Sequence, residues 1–193
     1  MSDTKIVRCP WCGNDELYME YHDKEWGQQV TDEYKLFEFL VLESAQAGLS
    51  WITILKRREG YRAAFANFDY KKVALYDEEK INSLVNDSNI IRHRGKITAA
   101  ISNAKIFIDI QKEFGSFYNY LYSFLPHTIP ITNKLKKATD AKTRSDESDA
   151  ISKDLKKRGL KFFGTTICYA YMQAVGMVND HFDFCSFKNN QTT

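Results

Sequence analysis

Apolar positions along this chain recur mostly at helical spacing. After Asp32 and Glu33, the residues Leu36, Phe37, Leu40, Val41, Ser44 and Ala45 fall at intervals of three and four until Gly48, which predicts a buried helix. Ser50 is a natural N-cap for a helix over 51–58. Asp77 caps one over 78–85, whose first turn carries acids where the helix dipole favours them. The longest run, 94–114, places Ile97, Ile101, Ala104, Phe107, Ile108 and Ile110 on it and stops at Gly115. Ser148 and Asp149 predict the start of a helix over 151–157, and Thr165 with Thr166 the start of one over 167–175, closed by Gly176. No segment alternates long enough to predict a strand. The pattern is that of an all-α protein of many short helices, with 126–147 as its most mobile loop.

The 193 residues have room for one domain spanning 1–193, built as a single globule or as two helical lobes, and no repeat or Gly/Ser linker divides them. A content of 44% hydrophobic and 14% aromatic residues supplies a core, which excludes a disordered tail; 27% charged residues and short apolar runs exclude a membrane span. The first residues carry no apolar leader, so the cytoplasm is the expected compartment. In a reducing compartment the four cysteines point to metal binding or simple burial instead of disulfides.

The net charge of +2 conceals an asymmetry. Residues 1–50 hold ten acids against four bases, whereas 134–161 hold ten Lys/Arg against five Asp/Glu, ending in the run Lys156-Lys157-Arg158-Gly159-Leu160-Lys161. A second basic cluster is Arg92-His93-Arg94-Gly95-Lys96. Each reads either as a solvated helix face or as a surface for a polyanion. Residues 159–164 join two predicted helices through a hairpin with glycine at both ends. Such a turn, with backbone N–H groups, a helix N-terminus and lysines together, fits a DNA phosphate; a plain αα-hairpin has the same pattern.

Two sets of side chains carry chemistry. His181 and Cys185 lie four apart and can share one point, and Cys9 with His22 offers a second Cys/His pair; the four suit tetrahedral Zn2+ in a closed, structural site. A rival grouping replaces His22 by Cys12 of the CPWC knuckle, and spacing does not separate the two. The second set is Tyr21, Glu43 and Trp51, with Trp11 and Trp26 nearby. Glu43 lies inside the otherwise apolar stretch 39–45, and a carboxylate buried there must find a donor, a cation or a proton; a ligand is one source of the donor, a neighbouring side chain or solvent another.

Several collinear motifs carry a resemblance. Tyr21-His22-Asp23-Lys24-Glu25-Trp26-Gly27, Leu42-Glu43-Ser44-Ala45-Gln46-Ala47-Gly48-Leu49-Ser50-Trp51, Ile90-Ile91-Arg92-His93-Arg94-Gly95-Lys96, Gly164-Thr165-Thr166-Ile167-Cys168-Tyr169 and Val178-Asn179-Asp180-His181 together resemble the DNA-3-methyladenine glycosylase I family over nearly the whole chain. The resemblance implies a helix-hairpin-helix fold and excision of 3-methyladenine from alkylated double-stranded DNA by a monomeric enzyme at the bacterial nucleoid. It implies one structural zinc on Cys9, His22, His181 and Cys185, joining the terminal segments and leaving Cys12 and Cys168 as ordinary thiols. It also implies a base pocket on Trp11, Tyr21, Glu43 and Trp51, and DNA contacts at Gly159, Lys161, Gly164 and Thr165. Many members of the hairpin superfamily use an aspartate downstream of the hairpin; Asp180 is its nearest counterpart here, and its place beside His181 suggests support of the metal. The alternative from another class is a zinc-stabilised DNA-binding module without activity.

Overall fold

The computed structural model describes residues 6–189 and is built of helices. In chain order they are α1 (Glu16–Lys24), α2 (Glu33–Gln46), α3 (Trp51–Leu55), α4 (Arg58–Ala64), α5 (Tyr70–Val73), α6 (Glu78–Val85), α7 (Arg94–Phe114), α8 (Phe117–Tyr122), α9 (Asp146–Lys157) and α10 (Thr165–Ala174). Two residue pairs, β1 (Ile131–Thr132) and β2 (Val178–Asn179), form a short parallel ladder. Among the described residues no helix is long and apolar enough to cross a membrane.

Helix α2 is the axis of the core. Every residue from Leu36 to Ala45 is buried, as expected for a helix covered on all sides, and α3, α7, α8 and α10 pack around it. Burial all round forces its two internal carboxylates into different solutions. Glu38 accepts from Arg58 Nε at 2.6 Å and Arg62 Nη2 at 3.0 Å and lies 3.1 Å from Lys35 Nζ, whereas Glu43 meets no cation among the described residues. The C-terminal end of α2 is held by Lys96, whose Nζ donates to the carbonyls of Ala45 at 2.7 Å and Ala47 at 2.6 Å. Gly48 then turns the chain with φ +80° into α3.

Helices α6 and α7 have the predicted bounds. The segment 51–58 does not continue as one helix: α3 stops at Leu55, and α4 begins at Arg58. Helix α9 starts a turn and a half earlier than predicted, because Ser145 is the N-cap and Ser148 completes a reciprocal capping box with it. The predicted loop 126–147 is α-helical only from Asp146, where α9 begins, and Ile131 N donates to Met177 O at 2.9 Å and Asn133 N to Asn179 O at 3.1 Å, which tie it to β2.

The two ends of the described chain meet. Val7 N donates to Ser186 Oγ at 3.0 Å and Ser186 N returns a bond to Val7 O at 2.9 Å, so the segments that carry Cys9 and Cys185 lie side by side.

Candidate functional site

A cleft of about 210 Å³ opens where α1, α2, α3 and α10 converge with the terminal segments. Its wall includes all four residues that the resemblance assigns to a base pocket, Trp11, Tyr21, Glu43 and Trp51, together with Trp26 and Gln46. Each is placed by a local device. Trp11 sits in the 3-10 turn Pro10–Cys12, started by proline. Tyr21 lies on α1, whose first turn is capped by Asp15 accepting from Tyr18 N. Trp51 is the first residue of α3, brought over the end of α2 by the Gly48 turn.

The aromatic rings of the wall stand in two pairs. Tyr21 and Trp51 have ring centroids 5.3 Å apart, and Trp11 and Trp26 stand edge-on at 4.7 Å. Glu43 is 3% exposed, and its Oε2 has no hydrogen-bond partner among the described residues. Burial alone pushes its carboxyl pKa up to about 8, which favours the neutral acid at pH 7. The indole Nε1 of Trp51 is also buried without a partner. A chamber with aromatic walls, one unpartnered carboxyl oxygen and one unpartnered N–H among the described residues suits a planar heteroaromatic guest that bears positive charge or donors.

Asp180, Gln173 and Phe182 also line the cleft, and sequence reading did not place them there. Asp180 accepts from Asn133 Nδ2 at 2.7 Å, Tyr169 Oη at 2.8 Å and Gln173 Nε2 at 2.7 Å. Its partners are therefore the cleft wall and the 126–147 loop, which corrects its assignment as support for His181. The signal was available in Asn179-Asp180-His181, but adjacency in sequence says nothing about which way each side chain turns after a two-residue strand.

Behind Trp11 and Trp26 lies a cluster of metal-ligating groups. The candidate ligand atoms of Cys9, His22 and Cys185, all buried, lie within 4.8 Å of one another. His22 Nδ1 bonds Asp23 Oδ1 at 2.8 Å, which leaves Nε2 3.6 Å from Cys185 Sγ. His181 stands beside them, its ring 5.0 Å from that of His22. Its Nδ1 bonds Asn179 Oδ1 at 3.0 Å, while its Nε2 is buried without a partner. Cys12, the member of the rival grouping, instead donates its thiol to the Cys9 carbonyl at 3.1 Å. Burial pushes the Cys9 thiol up to about 12 and His181 down to about 4. A soft, neutral set of thiols and imidazoles with an orphaned nitrogen fits a thiophilic divalent metal. His22 and His181 rings pack against the cleft tryptophans, Trp11 to His22 at 5.2 Å and Trp26 to His181 at 4.7 Å, so the cluster also backs the aromatic wall.

The predicted hairpin is present as the connection from α9 to α10. Gly159 uses its freedom, with φ +98°, whereas Gly164 is extended at φ −71° and it is Phe162 that takes the left-handed turn at φ +56°. Thr165 is tied to Asp149 and to Ser148 Oγ through its hydroxyl, and Lys161 is exposed.

The architecture defined by these elements is that of the helical DNA-3-methyladenine glycosylases. A solved 3-methyladenine DNA glycosylase I in which one tyrosine is replaced by phenylalanine, in complex with 3-methyladenine, superposes with a TM-score of 0.91 at 36% identity, over 96% of this chain and 99% of that one. The sequence is 51% identical to DNA-3-methyladenine glycosylase 1 of Escherichia coli, over 93% of this chain and 96% of that protein. It is 46% identical to DNA-3-methyladenine glycosylase of Haemophilus influenzae, over 95% of this chain and 99% of that protein. A sequence model of the methyladenine glycosylases matches residues 11–189, and the chain belongs to that family.

Proposed function

We infer that the protein is a DNA repair glycosylase that hydrolyses the N-glycosidic bond of 3-methyladenine in alkylated double-stranded DNA, releasing the free base and leaving an abasic site. The observation that carries the reading is the unpartnered carboxyl of Glu43 in an aromatic cleft large enough for one base. Family membership and the 3-methyladenine complex of a close structural neighbour support it.

The chemistry follows from the substrate. Methylation at N3 makes the adenine cationic, so the bond to the sugar breaks with its electron pair neutralising the base, and no general acid is required. Recognition is the larger task. The nucleotide leaves the helix, its base stacks on Trp51 and the other rings, and the positive charge draws Glu43 into its ionised form as an acceptor for the exocyclic amine or a protonated ring nitrogen. Normal adenine, uncharged and paired in the duplex, gains neither the cation–π attraction nor the ion pair. Water completes the reaction at the anomeric carbon and gives up a proton to solvent.

In this reading the chain forms a single glycosylase domain and works as a monomer in the cytoplasm, associated with the nucleoid while on DNA. Gly159, Lys161, Gly164 and Thr165 meet the DNA backbone. Cys9, His22, His181 and Cys185 hold one Zn2+; with all four positions filled by protein it would supply folding free energy and no chemistry. The orphaned His181 Nε2 supports the fourth ligand. The decisive test is release of free 3-methyladenine from methylated duplex DNA by the purified protein. Failure of intact, metal-loaded protein to release it would refute the assignment and leave the non-catalytic DNA-binding module.

A further inference from the structure

Asn103 lies in the middle of α7 and is 2% exposed. Its Nδ2 donates to Lys161 O and its Oδ1 accepts from Lys161 N, both at 3.0 Å. A buried amide that satisfies both backbone polar groups of one residue 58 positions away acts as a bidentate clasp on the hairpin. The next residue but one is pinned from the other side, where Ser152 Oγ on α9 donates to Phe163 O at 3.0 Å. Between the two pins Phe162 adopts its left-handed conformation, which is strained for a bulky side chain and persists only where neighbours over-determine it.

The clasp also joins two charged segments. The Phe162 ring, 38% exposed, meets the His93 ring edge-on at 5.9 Å, and His93 caps the N-terminus of α7 by accepting from Lys96 N. A Cβ added at Gly95 would lie 3.0 Å from His93 Cε1, so only glycine leaves that ring undisturbed against Phe162. Arg92 and Lys161 are exposed and form no ion pair among the described residues.

We propose that Asn103 is a positioning residue for DNA binding: it fixes the 159–164 hairpin to α7, so that the hairpin with Lys161, and Arg92 just before α7, engage the DNA backbone as one rigid surface. This rests on the glycosylase reading, which supplies DNA as the polyanion. A loop already held in place loses less conformational freedom on binding, and its N–H groups and lysine meet phosphates at a fixed spacing.

The test compares wild type with Asn103→Leu, which keeps bulk and removes both hydrogen bonds. The probes are an undamaged duplex oligonucleotide over a salt series, free 3-methyladenine, and methylated DNA in steady-state and single-turnover reactions. Expected are an approximately tenfold weaker duplex affinity, a matching rise in KM, and a salt slope smaller by about one. The saturated single-turnover rate and the affinity for free 3-methyladenine stay at wild-type values. A merely structural role lowers the melting temperature and the active fraction but leaves KM and the salt slope of the folded protein unchanged, and that result would overturn the proposal. Should the leucine variant not fold, Ser152→Ala removes the other pin and is held to the same readouts, with a smaller shift expected. Wild-type protein that binds duplex yet releases no 3-methyladenine sinks the glycosylase reading alone, because the duplex-affinity comparison still decides the role of Asn103.

Discussion

Glu38 and Glu43 are buried on the same helix, and one meets three cations while the other meets none. The pairing of Glu38 satisfies the fold. The isolation of Glu43, in the same cleft as Trp51 Nε1, which is likewise unpartnered among the described residues, is a deficit that a cationic base would remove.

Replacing Glu43 by glutamine keeps the shape and deletes the charge. The expected loss is about 10- to 100-fold in kcat/KM on methylated DNA, the range of one hydrogen bond to a charged group. Single-turnover base release measures it, and a wild-type rate would remove Glu43 from the recognition site.

The pH dependence has a definite sign. With the carboxyl pKa raised to about 8, the ionised fraction rises with pH, so kcat/KM climbs through about pH 7 to 9 and then levels, and Glu43→Gln flattens the climb. Stability runs the other way. The folded state holds a proton that the unfolded state has lost above its ordinary carboxylate value, so this residue destabilises the empty protein increasingly from the ordinary carboxylate range up to about pH 8. Denaturant titrations of both proteins across that window should show Glu43→Gln gaining relative stability as pH rises.

Arg58 binds Glu25 through both terminal nitrogens, at 2.7 and 2.8 Å, and Glu38 through Nε. Despite the opposing effect of burial, its guanidinium and Lys35 hold the Glu25 carboxyl down to about 2. That stabilisation is complete above the ordinary carboxylate pKa and is lost as pH falls through about 2. Arg58→Met removes the guanidinium bonds of both carboxylates and leaves Glu25 to Lys35 and Glu38 to Lys35 and Arg62, and a loss of about 1.5–3 kcal/mol is expected by chemical denaturation at pH 7. A loss below about 1 kcal/mol would mean that water replaces the guanidinium without penalty.

His181→Ala should reduce bound zinc below one per chain and lower the melting temperature, as should treatment of the wild type with a strong chelator. Because both histidines pack on Trp11 and Trp26, tryptophan fluorescence should change as metal is removed. Undiminished zinc content in the variant would count against His181 as a ligand.

Much of this fold is legible from periodicity and caps: Asp77 marks the start of α6, and a long apolar period ending at Gly115 marks α7. Helix α1 is not legible in the same way; its residues Glu16 to Lys24 are mostly polar, and its stability comes from a cap and from burying Tyr21 and His22. The start of α9 is misread because Ser148 is itself a good cap residue; only the bond to Ser145 shows that it occupies the third position of the helix. In the cleft, Tyr21, Glu43 and Trp51 stand out as aromatic or charged residues in telling places. Gln46, Gln173 and Asp180 do not, since their approach depends on the crossing of α2 and α10 and on a two-residue strand that leaves no alternating pattern.

The union of the two chain ends carries a consequence for the order of assembly. Trp11 and Phe182 complete the cleft, and Phe182 N reaches Cys9 Sγ across 173 positions of sequence. Contacts of such separation pay the largest loop-closure entropy and form late, whereas the α9–α10 hairpin is local and forms early. In a growing chain the α9–α10 hairpin is therefore expected to form before the cleft, which needs both terminal segments, is complete.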